Sequence, residues 1–255
     1  MIHPTAIIHP NAQVPSSCTI GPYCVIGEHV TLGENCQLRS HVVIDGHTTL
    51  GSGNEIFPFA SIGLKTQDLK WKGGLTRTRI GDNNTFRENV TIHSATADGE
   101  TTIVGSRNHI LAYSHLAHNV VVGNNNIMSN VATLAGHVTV EDFAVIGGLV
   151  AIHQFCRIGS YSIIGGCSKV VQDVPPYMLA DGNPATTRTI NKVGLDRNNI
   201  SEEAQRALKT AYKILFREKL TIPNALAQIE ADLPPLPELK HLIAFIRQSE
   251  RGISK

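Results

Sequence analysis

The chain has 255 residues and a formal net charge of +1, so no global field favours nucleic acid or a membrane surface. Only 5% of residues are aromatic, so a core must be built from Ile, Val, Leu and Ala, which suits a repetitive β architecture. No apolar run approaches the roughly 18 residues of a transmembrane segment, Met1-Ile2-His3-Pro4 does not open a signal peptide, and 5 cysteines without a CxxC pair suggest a reduced, cytoplasmic protein.

From the N-terminus, an aliphatic residue returns every six positions. The first run passes through Ile2, Ile8, Val14, Ile20 and Ile26 to Ile62. A short run holds Ile80, Phe86 and Ile92, and a third extends from Val104 to Val170. Gly often follows the aliphatic residue, as in Ile20-Gly21 and Val122-Gly123, and is expected to supply turn conformations costly to other residues. A period of six does not fit helical turns. Each unit is a short strand plus a turn that cannot bury its apolar side alone, so units must stack. Three units close a coil of eighteen residues, and successive coils lie about 4.8 Å apart. The expected architecture is a parallel β-helix. Cys18, Cys24, Cys36 and Cys156 fall at the small inward position and are expected to be buried small hydrophobes, while Cys167 has no assigned role.

Two segments interrupt the repeat, residues 64–79 and 94–102. The first is longer and carries Lys65, Lys70 and Lys72, so it is the better candidate for binding. The second reads equally well as a tolerated insertion. Beyond Asp173 the pattern ends at Val174-Pro175-Pro176, and Gly182-Asn183-Pro184 reads as an irregular link. The β-helix is therefore expected over 1–190 and an α-helical domain over 191–255. Ser201 is a plausible N-cap ahead of Glu202 and Glu203, with Leu208, Ala211, Tyr212 and Leu215 on one face. Further helices are expected over 222–233 and 236–251, together covering the open end of the coil stack.

The chain has 12 histidines. Leu116, Leu134 and Ile152 are eighteen apart, so His118, Gly136 and Gln154 stack at one position of adjacent coils. His137 follows Gly136, His153 precedes Gln154 and His115 lies at the preceding corner, which gathers the column within about 10 Å along the axis. Three readings stand: solvated turn histidines, a metal site, or general-base catalysis by a neutral imidazole. Acidic residues are scarce beside the column, and it contains no short His-x-x-x-His pair.

The ordered motifs Ser114-His115-Leu116-Ala117-His118, Ala135-Gly136-His137-Val138, Ile152-His153-Gln154-Phe155-Cys156 and Gly165-Gly166-Cys167-Ser168 occur with Asn54-Glu55-Ile56, Gln67-Asp68-Leu69-Lys70 and Val90-Thr91-Ile92-His93. Over nearly the whole chain this set resembles the acyl-[acyl-carrier-protein]–UDP-N-acetylglucosamine O-acyltransferase family. The resemblance implies a left-handed parallel β-helix, although the usual crossover rule favours the opposite hand. It implies a homotrimer with sites between neighbours, and no cofactor or metal. It further implies transfer of a 3-hydroxyacyl chain from acyl carrier protein to the glucosamine 3-hydroxyl of UDP-N-acetylglucosamine, the opening step of lipid A synthesis.

By that resemblance, His118 matches the general base and Gly136 the backbone N–H donor of the oxyanion site. Gln67, Asp68 and Lys70 match sugar and phosphate contacts. His93, His115, His137 and Gln154 match groups lining the cleft, and His153 a histidine near the donor. Asn191 and Arg197 match nucleotide contacts in the tail. Gly166 matches the position that gauges acyl length, and its missing side chain implies an open groove and a long chain. The family's acidic residue after the catalytic histidine is Asn119 here, which cannot raise imidazole basicity as a carboxylate would, so the orienting partner is left open. Val193 and Asn198 depart from tail positions near the nucleotide that are usually acidic and basic. The alternatives are an amino-substituted acceptor sugar, an N-acyltransferase, a trimeric metalloenzyme that hydrates carbon dioxide, and a scaffold without activity. The N-acyltransferase is expected to carry an extra N-terminal domain, whereas this repeat starts at Ile2.

Overall fold

The computed structural model describes residues 1–255. Most strands are only two residues long, such as Thr19–Ile20 and Val25–Ile26, with the first residue facing out and the second buried. Such strands are too short to persist alone, and their stability comes from stacking. They assemble into three faces of nine, seven and ten strands, each joining strands one full coil apart. The pairing is parallel at the register anticipated by the repeat, for example Thr133 with Ala151 and Leu134 with Ile152. The result is a left-handed parallel β-helix followed by helices.

One continuous cluster of 39 buried residues fills the prism. Cys18, Cys24, Cys36 and Cys156 are buried free thiols within it, as their inward position required, while Cys167 is exposed. At the level of Cys18 and Cys36 the inward column continues as Asn54, Asn84, Asn108 and Asn126. Their side chains form an internal amide ladder. Asn84 donates to Asn54 Oδ1 at 3.0 Å, Asn108 to Asn84 Oδ1 at 3.0 Å, and the Asn126 N–H to Asn108 Oδ1 at 2.8 Å. Burying these amides is tolerable because nearly every polar atom finds a partner along the axis.

The role expected for the repeat glycines needs correction. The left-handed backbone of each turn falls three residues after the aliphatic position, and mostly on non-glycine residues such as Tyr23, His41, Phe59, Asn119 and His137. Glycines such as Gly21 and Gly105 serve close approach instead. A Cβ there would lie 2.7 Å from Arg39 O or 2.4 Å from Gly123 O on the next coil.

The end of the prism also differs from expectation. The segment anticipated as an irregular link is an antiparallel hairpin, Met178–Gly182 with Ala185–Ile190. It continues the ten-stranded face through Leu179, which pairs with Ile163. A short helix α1, Lys192–Arg197, follows; its sequence contains Gly194 and offers no helical periodicity. The remaining helices are α2 Glu202–Phe216, α3 Ile222–Asp232 and α4 Pro237–Arg247. Ser201 caps α2 by accepting from the Ala204 N–H, and the residues named for its apolar face are buried. A second cluster of 19 buried residues unites these helices with Tyr177, Met178 and Ile190 from the hairpin region. The helices therefore pack on the last coil rather than hang from it.

A polar latch reinforces that junction. His241 of α4 joins Glu141 of the prism at 3.0 Å through Nε2, and its Nδ1 meets the Tyr177 hydroxyl at 2.9 Å. Glu141 also accepts from the Ser160 N–H at 2.8 Å and its hydroxyl at 3.0 Å. Burial alone would raise the Glu141 carboxyl, but the bonds from His241 and Ser160 hold it below the ordinary value of 4.5. The stability it contributes is therefore present above that value and is lost as pH falls through the lower folded value. Glu141→Gln should lower the thermal midpoint at pH 7 by about 3 °C. That difference should narrow as both proteins are melted at pH values progressively below 4.5, and a constant gap would refute the latch.

Candidate active site

The corner between the nine- and seven-stranded faces carries the histidine column. His118 follows the strand His115–Leu116, and Gly136 and Gln154 occupy the same turn position on the next two coils. A Cβ at Gly136 would lie 2.4 Å from His118 Cε1 and 2.5 Å from Nε2. Glycine is thus what leaves room for the imidazole. The Gly136 N–H makes no backbone hydrogen bond, whereas its carbonyl accepts from the Phe155 N–H at 3.2 Å. His137 adopts a left-handed backbone and donates its N–H to His118 O at 3.1 Å. Its ring meets His118 edge-on with centroids 5.3 Å apart and stacks on Phe155 at 4.8 Å.

His93 and His115 continue the cluster toward the N-terminus, edge to face at 5.0 Å. His115 Nδ1 meets Thr91 Oγ1 at 2.7 Å. Burial, and after it the neighbouring His93 and His118, lower the His115 imidazole to about 4. Burial and His118 likewise lower His93 and His137. Around His118, then, the surrounding rings are neutral at physiological pH.

Both interruptions of the repeat leave the prism at this corner, after Leu64 and after His93, where their strands pair. The first brings Asp68, whose Oδ2 lies 3.7 Å from His118 Nε2. Asp68 Oδ1 accepts from the Lys70 N–H at 2.9 Å, which holds the carboxylate in its turn. Lys70 and Lys72 line a 410 Å³ pocket with Asp68, Thr96, Glu100 and His137.

The second loop, read equally well as a tolerated insertion, reaches the histidine cluster. It supplies Glu100, whose Oε2 accepts from Asn119 Nδ2 at 2.7 Å. The hydrogen bond from Asn119, aided by that from the Ala97 N–H, lowers the Glu100 carboxyl. Asn119 in turn contacts His118 Nδ1 through Oδ1 at 3.0 Å. The Thr96 N–H donates to the same Oδ1 at 3.1 Å, which identifies that end of the amide as oxygen. Since Oδ1 can only accept, His118 Nδ1 must carry the proton, and in the neutral ring Nε2 is the free base. Asn119 thus answers which group orients His118.

Sequence reasoning missed Glu100, although the signal was available. The count of eighteen that stacked His118 on Gly136 reaches Glu100 when carried one coil back, and the pairing of Ile103 with Val121 confirms that register. Gln67, His153 and Gln154 are exposed at the edge of the cluster. His153 Nδ1 turns to Gln154 O at 3.2 Å. Gly166 lies further along the axis, where a Cβ would meet only Gly148, at 3.3 Å from its carbonyl oxygen. Asn191 and Arg197 are not brought to this cluster by the single chain. The buried Asn191 amide caps α1 by accepting from Gly194 at 3.1 Å and donates to Tyr161 O at 2.8 Å, while Arg197 is exposed at the far end of that helix. Within one chain, no three His, Cys, Asp or Glu side chains converge in a metal-holding arrangement.

The chain is similar to known proteins in both sequence and structure. Residues 173–254 match the family described as "Udp N-acetylglucosamine O-acyltransferase; Domain 2", and residues 1–33 match "Bacterial transferase hexapeptide (six repeats)". An acyl-[acyl-carrier-protein]–UDP-N-acetylglucosamine O-acyltransferase of Thermodesulfovibrio yellowstonii is 52% identical over 219 residues, covering 86% of this chain and 85% of that protein. The crystal structure of a UDP-N-acetylglucosamine acyltransferase from Bacteroides fragilis superposes with a TM-score of 0.98 at 40% identity, covering 100% of both chains. The structure of LpxA from Acinetobacter baumannii gives a TM-score of 0.97 at 46% identity over 100% of this chain and 99% of that one.

The contact between Gly136 and His118 yields a direct test. Gly136→Ala should force the imidazole off Asn119, visible in a crystal structure as a changed His118 rotamer, while the thermal midpoint stays close to wild type. A variant whose imidazole kept its bond to Asn119 would disprove the steric role assigned to this glycine.

Proposed function

The chain belongs to the acyl-[acyl-carrier-protein]–UDP-N-acetylglucosamine O-acyltransferase family and is an acyltransferase, and we propose that His118 is the general base of the transfer. The reaction moves a 3-hydroxyacyl chain from acyl carrier protein to the 3-hydroxyl of UDP-N-acetylglucosamine, the first step of lipid A biosynthesis.

One observation carries the role of His118. With Nδ1 committed to Asn119, His118 Nε2 and Asp68 Oδ2 face each other as two acceptors 3.7 Å apart. Nε2 is thus an acceptor without a donor in the chain itself, and a sugar hydroxyl placed beside Asp68 would give its one proton to it. Nε2 takes that proton as the hydroxyl oxygen attacks the thioester carbonyl. The tetrahedral oxyanion is met by the unengaged Gly136 N–H. Collapse breaks the carbon–sulfur bond, and the departing thiolate takes the proton back from the imidazolium. The products are the O-acylated nucleotide sugar and the free carrier thiol.

The neutral rings of His93, His115 and His137 offer hydrogen bonds to the sugar without competing for its proton. Lys70 and Gln67 would reach the sugar and its phosphates, with His153 and Gln154 beside the donor. Gly166 would leave the acyl groove open for a long chain. In a single chain this groove is one-sided, which fits a homotrimer with sites between neighbours. Tyr23, Phe59, Tyr113 and Leu149, each more than half exposed, stack along one edge of the prism, and Leu69 stands fully exposed on the first loop. A face of this kind asks for a partner. Asn191 and Arg197 would contribute to nucleotide binding only through such an assembly. Five free thiols fit a reducing, cytoplasmic setting.

His118→Ala should reduce kcat by a factor on the order of 10²–10⁴. Product would be followed by mass spectrometry with UDP-N-acetylglucosamine and a panel of 3-hydroxyacyl carrier proteins, which also reads chain length. Turnover equal to wild type would remove His118 from the mechanism. Sedimentation equilibrium should report three times the mass of 27.6 kDa, and a monomer would exclude a shared site.

A further inference from the structure

The geometry points to Glu100 as the positioning residue of His118, acting through the Asn119 amide in a three-member chain from carboxylate to amide to imidazole. The inference rests on the reading of His118 as general base.

Each link in the chain has one allowed polarity. Glu100 Oε2 accepts from Asn119 Nδ2 at 2.7 Å, and Asn119 Oδ1 accepts from His118 Nδ1 at 3.0 Å. The Thr96 N–H pins the amide oxygen from a third direction at 3.1 Å. Reversing the amide would set two donors against each other at Thr96 and two acceptors at Glu100. The chain therefore selects the tautomer that leaves Nε2 free. A bare asparagine next to a histidine can turn either end toward the ring; here the Thr96 N–H on one end of the amide and the Glu100 carboxylate on the other together remove that choice.

Glu100 is itself held in place. Its Oε2 accepts from the Ala97 N–H at 3.1 Å, and its own N–H donates to Ala97 O at 3.1 Å. The loop carrying it is tied to the Asp68 loop through Leu75 N–H to Asp98 Oδ1 at 2.7 Å and Gly99 N–H to Leu75 O at 2.9 Å. It is also the residue directly below His118 in the coil register. Because Glu100 is exposed at the surface of the chain, its charge is screened, and its effect is delivered through the hydrogen-bond chain and not through long-range field. The other titratable groups around His118 are Asp68 at 3.7 Å, the ring of His137, and the rings of His93 and His115. None of them is hydrogen-bonded to Nδ1.

Three variants test this: Glu100→Gln, Asn119→Asp and the two combined. Glu100→Gln keeps size but replaces a group that can only accept with one that can turn either end to Asn119; kcat should fall about tenfold with KM for the nucleotide sugar within about twofold, at an unchanged thermal midpoint. Asn119→Asp sets two carboxylates where a donor and an acceptor now meet, and kcat should fall further, by about a hundredfold. In the double variant the amide introduced by Glu100→Gln can donate to the new carboxylate, so it should be at least about tenfold faster than Asn119→Asp alone. Nitrogen-15 NMR of the His118 ring supplies a readout free of turnover. The wild type should show the proton on Nδ1, and Glu100→Gln a mixture of tautomers. Wild-type kcat and tautomer in Glu100→Gln, or a double variant no faster than Asn119→Asp, would overturn the proposal. If instead His118→Ala retained full turnover, the failure would lie with the general-base reading itself.

Discussion

The N–H of Ile127 meets Ala144 O at 3.0 Å, and one coil on the N–H of Val145 meets Ser162 O at 2.9 Å. This axial bond recurs along every face of the prism, and the rest of the molecule depends on it. It sets the rise of each coil to the strand spacing, so residues at equal positions of the repeat must stack. Side chains stacked inward give an unbroken apolar column, and side chains stacked outward give columns of chemistry. A column cannot drift, because moving one member would break the bonds of the whole coil. The geometry of His118, Gly136 and Asn119 is thus inherited from the backbone before any substrate arrives, which is the form of preorganisation that catalysis rewards.

That inheritance explains what could be read in advance. The period of six and the coil of eighteen predicted the stacking of His118 under Gly136, because nothing but counting stands between that sequence and that geometry. Glu100 is within reach of the same count, but the loop in front of it hides the register. The loop re-enters in phase, as the pairing of Ile103 with Val121 shows. The repeat glycines read as turn residues, yet their demand comes from the neighbouring coil, a contact that sequence separation conceals. The hairpin Met178–Gly182 with Ala185–Ile190 and the helix Lys192–Arg197 have no periodic signature at all. They are set by docking against the last coil, and tertiary packing of that kind leaves little trace in local pattern.

The electrostatics of the site follow from burial. Desolvation is the first cause lowering His93, His115 and His137, and repulsion from His118 adds to it in each case. A cluster of histidines in water would compete for protons. Here three rings are held neutral, so within the cluster the Nε2 of His118 is left as the base. The carboxylates of Asp68 and Glu100 approach His118 from opposite ring nitrogens, one directly and one through an amide. A buried carboxylate on Nδ1 would need compensation of its own desolvation. Keeping the charge at the surface and the neutral amide inside achieves the orientation without that cost.

The two loops complete the same logic. Ordering a long excursion from a β-helix costs conformational entropy that the prism does not repay. Here the excursions leave adjacent coils at one corner and order each other, through Thr66 with Thr96 at 3.0 Å, Thr76 with Ser94 at 3.2 Å, and Leu75 with Asp98 at 2.7 Å. One loop carries Asp68 and the other Glu100, so the partners of the two His118 nitrogens are tied to each other as well as to the ring. A shift in either loop would be felt at both nitrogens. The repeat therefore yields only where an interruption can be matched by a second one a coil away, at the corner that carries the histidine column.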